Sequence, residues 1–258
     1  MKILMCPPQF FDVNYKINPW MNRMRPVNKI LANTQWKNLV KTIQSIGAEV
    51  VVIQPHNELP DMVFTANAGL LKDNEVILAQ FKYPQRQPES ALFKKWFEDQ
   101  QYTVITPPIY FEGAGDALFA GEHLFFGHGF RSDPTFLEWL KTIWNIKITH
   151  LELVDPNFYH LDTCFCPLDA NTALWYPEAF SPKSQKLLEQ SLQLISTSKQ
   201  DALAFACNAV VMDQNVILAT NCHATEKKLN NQGYTTHACD TSEFLLSGGS
   251  CKCLTLAI

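Results

Sequence analysis

FEGAGDALFAG, residues 111–121, shows how this chain is put together. Its first half is polar and rich in glycine, the composition of a turn. Its second half is a short apolar run that reads as a buried strand. Gly121-Glu122 then reverses the chain into a return strand. Further on, Asp133-Pro134 opens an amphipathic helix over roughly 133–145, with Phe136, Leu137, Leu140, Ile143 and Trp144 on its apolar side. A β-rich run, Ile146–Leu151, follows. The unit is strand, strand, helix, strand.

The unit recurs. Comparable stretches are DMVFTANAGLL at 61–71, YHLDTCFCPLD at 159–169, ALAFACNAVVM at 202–212 and SGGSCKCLTLA at 247–257. Polar turns at Lys72-Asp73-Asn74, Asp169-Ala170-Asn171 and Asp213-Gln214-Asn215 serve three of them, and the last returns through a strand at Lys2–Met5. Helices are expected near 28–46, 88–100, 181–194 and 224–232, and β-rich runs at Glu49–Ile53, Tyr102–Ile105, Leu194–Thr197 and Tyr234–Ala238. Steps from Asn67 to Asp116, Cys164, Cys207 and Cys251 are 49, 48, 43 and 44 residues. Repeats of that length mean radial or solenoid architecture. Five closed units make an α/β fold of pseudo-symmetric ββαβ blades, a five-bladed propeller; an α/β sandwich with chance spacing is the competing architecture. No Gly/Ser linker, charge block or low-complexity tract divides the chain, so residues 1–258 are expected to form a single catalytic domain. Loops that converge on one axis would build the site there.

Composition narrows the function. Of 258 residues, 47% are hydrophobic and 18% charged, which supports a sizeable core and argues against disorder. The net charge of -4 lacks the basic excess that holds a phosphate backbone, so no nucleic-acid partner is expected. MKILMCPPQFF does not read as an export signal, and no apolar run reaches the roughly 18 residues of a membrane span. The eight cysteines then read as reduced thiols of a cytoplasmic protein.

The blade openings carry Asn67, Glu112, Asp116, His160, Asp162, Cys251 and Cys253. A cysteine, a histidine and carboxylates in one cleft are the parts of thiol catalysis. Histidine passes a proton to a leaving group and takes one from water. Carboxylates hold a cation, and guanidinium offers them a planar fork of donors. Taken singly, each residue has a plainer account: a part-buried histidine, a small core thiol, turn carboxylates. A zinc site from H-x3-C-x-C at His160, Cys164 and Cys166, with Cys251 and Cys253, departs from the usual C-x2-4-C spacing. The glycines of FEGAGDAL fit neither a dinucleotide nor a phosphate loop.

FTANAG at 64–69, FEGAGDAL at 111–118, HLDT at 160–163 and GGSCKCLTL at 248–256 occur together and in this order. In this the chain resembles the guanidino-modifying superfamily: arginine deiminase, dimethylarginine dimethylaminohydrolase, arginine dihydrolase and the amidinotransferases. The resemblance covers nearly the whole chain and implies a five-bladed α/β propeller. It implies Cys253 as nucleophile, His160 as general acid and base, and Glu112 and Asp162 as carboxylates gripping the guanidinium. Arg86 and Arg131 would take the substrate carboxylate, with Asp61 and Asp116 as further substrate-binding positions. Where deiminases carry aspartate, this chain has Asn67, and the FTANAG form resembles the arginine dihydrolases. A neutral amide offers a donor and an acceptor, suited to holding a ureido group for a second attack. The implied substrate is arginine or a derivative, with no metal or organic cofactor. Deiminase and dimethylargininase activities, and a zinc- or arginine-binding module, are the alternatives. A homo-oligomer is compatible with all of these.

Overall fold

The computed structural model describes residues 1–258. Fifteen short strands form five three-stranded sheets. In chain order the inner strands are Gly69–Lys72, Ala117–Ala120, Phe165–Pro167, Val210–Met212 and Leu256–Ala257. Each pairs antiparallel with a middle strand: Glu75–Leu78, His123–His128, Thr172–Trp175, Asn215–Ala219 and Lys2–Met5. The outer strands, Thr103–Ile105, Lys147–Glu152, Gln193–Ser196, Thr235–Cys239 and Glu49–Val52, run parallel to the middle ones. A parallel neighbour needs a crossover, and one helix supplies it in every blade. These helices are Lys29–Ser45, Glu89–Asp99, Phe136–Ile143, Pro182–Ser191 and His223–Asn231. The fold is therefore the five-bladed α/β propeller that the repeat implied. The last blade joins the two ends of the chain, with Leu4 opposite Leu256.

Each helix buries its apolar stripe: Trp36, Leu39 and Ile43 in the first, Phe93 and Phe97 in the second, Phe136, Leu137 and Leu140 in the third. Phe136 stacks on Phe111 at 4.0 Å, seating a rim helix against the segment that leads into the site. Two short helices, Lys199–Leu203 and Ser242–Leu245, fall where the sequence suggested only polar loop. They are a single turn or little more, too short for the apolar period to register.

Single 3₁₀ turns at Thr65–Ala68, Gly113–Gly115 and Leu161–Thr163 precede three inner strands and bring the motif residues to the axis. Gly113 has a φ of 62°, and a Cβ there would lie 2.8 Å from the Gly69 backbone nitrogen, so neighbouring turns touch through a position that only glycine fills. No helix is long and apolar enough to cross a membrane.

Candidate active site

Four of the blade openings converge on Cys253. Its thiol donates to Asp162 Oδ2 at 3.3 Å. On its other side Asn208 Nδ2 donates to the sulfur at 3.0 Å. Ala66 N donates to Cys253 O at 3.1 Å, tying this loop to the FTANAG turn. Burial and the neighbouring Asp162 push the Cys253 thiol well above its ordinary range. Burial also raises Asp162, to about 7, against the opposing pull of Lys252. Asp162 Oδ1 is buried without any hydrogen-bond partner. A buried carboxyl and thiol side by side, with an acceptor lone pair unfilled, make a place that favours a cation.

His160 stands on the same turn. Its Nε2 lies 2.8 Å from Glu112 Oε2, which also accepts from Arg131 Nη1 at 2.9 Å. Burial alone would raise the Glu112 carboxyl, but Arg131, His160 and Arg86 outweigh it and hold it well below the usual carboxylate range. An ionised Glu112 accepts only, so Nε2 of His160 carries a proton and Nδ1 is the nitrogen left for proton transfer. Here the expectation for Glu112 changes. Its Oε2 is occupied by His160 and Arg131, and only Oε1, with a 3.4 Å contact from Lys82 N, keeps capacity for a guanidinium.

Asn67 is 2% exposed and held at both ends of its amide. Nδ2 donates to Glu112 O at 3.1 Å and Oδ1 accepts from Arg86 Nη1 at 2.9 Å. Arg86 spends most of its fork inside the protein. Nε and Nη2 pair with Glu89 at 2.9 and 2.8 Å, and Nη2 also donates to Asp61 O. Only one N–H, on Nη1, is without an acceptor, so the expected role on a substrate carboxylate is confined to that one donor. Arg131 bonds Glu112 and Ile17 O and lies 4.8 and 4.5 Å from the Tyr83 and Tyr159 rings. It keeps three N–H groups free and is the better placed of the two. Asp61 accepts from Tyr15 Oη at 2.8 Å and Ser247 Oγ at 3.1 Å.

Asp116 is placed differently from expectation. Its carboxylate accepts from Ser132 Oγ at 2.6 Å, Ser132 N at 3.1 Å and Leu161 N at 3.2 Å. It braces the turns that carry Arg131 and His160 instead of facing a ligand; burial, opposed by His160 and Ser132, raises it to about 6. The thiols of the zinc alternative do not converge either. Cys164 Sγ contacts His160 O and Leu161 O, Cys166 Sγ contacts Ala209 O, and Cys251 Sγ contacts Ser250 Oγ.

The motifs did not single out Asn208, Glu89, Ser132 or the segment around Tyr15–Trp20, all of which touch the cluster. Asn208 had a visible signal: it is the one polar side chain in ALAFACNAVVM. Behind the cluster an apolar cavity of about 230 Å³ follows the propeller axis, lined by inner-strand residues such as Leu70, Leu118 and Val210, with Lys252 its only charged residue.

Comparison with known proteins finds relatives over the whole chain. The family described as N,N-dimethylarginine dimethylhydrolase, eukaryotic, matches residues 8–258. The bifunctional arginine dihydrolase/ornithine cyclodeaminase ArgZ of Synechocystis sp. is 42% identical over 270 residues, covering 100% of this chain and 38% of that protein. The chain thus spans well under half the length of that relative. The N(G),N(G)-dimethylarginine dimethylaminohydrolase of Mycobacterium tuberculosis is 39% identical, covering 98% of this chain and 84% of that protein. Among solved structures, the substrate-bound N-terminal domain of a cysteine-to-serine variant of ArgZ, a cyanobacterial arginine dihydrolase, superposes with a TM-score of 0.95 at 41% identity, covering 99% of this chain and 97% of that one.

Proposed function

The chain belongs to the dimethylarginine dimethylaminohydrolase family, and on that footing we propose that it is a cysteine-dependent arginine dihydrolase, converting L-arginine to ornithine, carbon dioxide and two molecules of ammonia. The observation that carries the proposal is the buried Cys253–Asp162 pair with Asp162 Oδ1 unfilled, beside a His160 held by Glu112. We take residues 1–258 as one catalytic unit.

The substrate guanidinium pairs with Asp162 and with Oε1 of Glu112. Its charge supplies what the empty pair lacks, so the thiol passes its proton to Nδ1 of His160 as substrate binds. The sulfur attacks the guanidino carbon, His160 protonates the departing ammonia, and an S-alkylthiouronium remains. His160 then takes a proton from water, which adds to that carbon and expels the thiolate, leaving citrulline. Asn67 presents a neutral amide here, and the ureido product stays for a second attack. That attack releases the second ammonia and leaves an S-thiocarbamate. Its hydrolysis gives the carbamate of ornithine, which loses carbon dioxide.

A second reading, hydrolysis of dimethylarginine to citrulline and dimethylamine, is favoured by the family description and the mycobacterial relative. It uses the same residues and ends after one step.

The test uses two alkylating agents of opposite character. A cationic haloacetamidine should label Cys253 at least about tenfold faster than neutral iodoacetamide, because it brings its own counter-charge to Asp162. Arginine should protect against it, and Cys253→Ser and His160→Ala should lose turnover with unchanged circular dichroism. Equal labelling by the two reagents, or full activity in either variant, would overturn the assignment.

A further inference from the structure

We propose that Asn208 is the hydrogen-bond donor to the Cys253 thiolate and sets the loop that presents it. The inference rests on Cys253 being the nucleophile and adds a residue that no motif marks.

Every polar atom of the Asn208 side chain is used. Oδ1 accepts from Ser250 N at 3.0 Å and from Cys253 N at 3.1 Å. Backbone amides only donate, so these two bonds fix which end of the amide is oxygen. Nδ2 is thereby turned toward the sulfur, at 3.0 Å, and toward Asp162 O, also at 3.0 Å. Its own carbonyl accepts from Lys252 N at 3.1 Å. The residue is 0% exposed. One side chain thus holds the nucleophile at its nitrogen and its sulfur, and holds the neighbouring carboxylate's backbone.

The two hydrogen-bonded side chains at the sulfur are of opposite kind. Asp162 Oδ2 accepts and, once ionised, repels a thiolate. Asn208 Nδ2 donates and carries no charge. A hydrogen bond to an ionised acceptor is about twice as strong as one to a neutral acceptor. The contact therefore gains strength when the thiol loses its proton, and again each time the sulfur departs as a thiolate. An asparagine that merely tied backbone to backbone would use Oδ1 and one Nδ2 hydrogen, on Asp162 O; the second Nδ2 hydrogen is the one directed at the sulfur.

Asn208→Asp separates the two roles. It keeps an oxygen for Ser250 N and Cys253 N and replaces the donor with an acceptor. The pH midpoint of Cys253 alkylation should move up by about one unit or more, and labelling near neutral pH should slow about tenfold. The kcat should fall with little change in KM. A folded variant with the wild-type alkylation profile would overturn the proposal.

Because a second buried carboxyl near Asp162 endangers folding, the unaltered protein provides the other arm. Its Asn208 side-chain amide resonances should titrate with the midpoint of Cys253 alkylation and cease to do so in Cys253→Ala. Resonances indifferent to the thiol would also overturn it. Neither measurement needs a substrate. A shifted alkylation midpoint in a protein that does not turn over arginine would retain Asn208 and discard the dihydrolase, and an unshifted one in an active protein would do the reverse.

Discussion

Asp162 carries a cost in stability. Burial raises its carboxyl to about 7. Between the ordinary carboxyl range and that value, the unfolded chain has released the proton and the folded chain still holds it. Stability therefore falls as pH rises through this window. Asp162→Asn removes the titration, so at pH above the window it should raise the melting temperature by roughly 3–6 °C while abolishing turnover. A lower melting temperature there would show that the carboxylate is satisfied in the folded state. The residue was legible from HLDT, as were Cys253, His160 and Asn67, because each sits in a motif of fixed order. Asn208 showed only as the lone polar side chain of its blade opening; its role was not legible, since that depends on folding 45 residues of chain back onto Cys253. Nor was the internal commitment of Arg86: a guanidinium matched to a ligand looks the same in sequence as one matched to Glu89.

Turns and straps, more than helices and strands, shape the cleft. The 3₁₀ turn Gly113–Gly115 lies against Asn67, and a Cβ on Gly115 would run into Asn67 Nδ2 and come within 3.4 Å of the His160 ring. Gly115→Ala should retain the fold and lose about a hundredfold in kcat, the cost of displacing reacting groups by about an ångström. Near-wild-type kcat would mean that the position of Asn67 does not matter. The segment before the first helix lies across the same site. Ile17 O accepts from Arg131, Asn18 Nδ2 donates to Ser247 O at 2.9 Å, and Trp20 Nε1 donates to Asn157 O at 2.8 Å. Cys253 is only 2% exposed, so substrate entry needs an opening, and this strap is one segment whose movement would supply it. Trp20→Phe deletes one tether and keeps the ring; it should raise KM about threefold or more with a smaller effect on kcat. Unchanged KM would place the route of admission elsewhere. The strap has no apolar period and no turn motif beyond scattered Pro and Asn, so its position comes from tertiary contacts alone. The five crossover helices, by contrast, lie within three residues of the expected limits at either end, because each needs one apolar stripe to seat it on a sheet.

At the scale of the molecule, fivefold repetition turns a weak local signal into a strong global one. Each blade is small, with an inner strand of only two to four residues. Closure lets neighbouring blades share cores, and it brings openings far apart in sequence to one axis. Near-even spacing was enough to foresee the ring, while the axial cavity behind Cys253 was not foreseeable, being set by how closely the inner strands approach. The ring leaves one question of chemistry, whether the reaction ends at citrulline or at ornithine, and we propose that Asn67 decides it. The direct measurement is product stoichiometry with L-arginine, scoring ornithine, citrulline and ammonia in the same reaction. The dihydrolase predicts two ammonia for each ornithine and little free citrulline. One ammonia for each citrulline, with no ornithine, would contradict it.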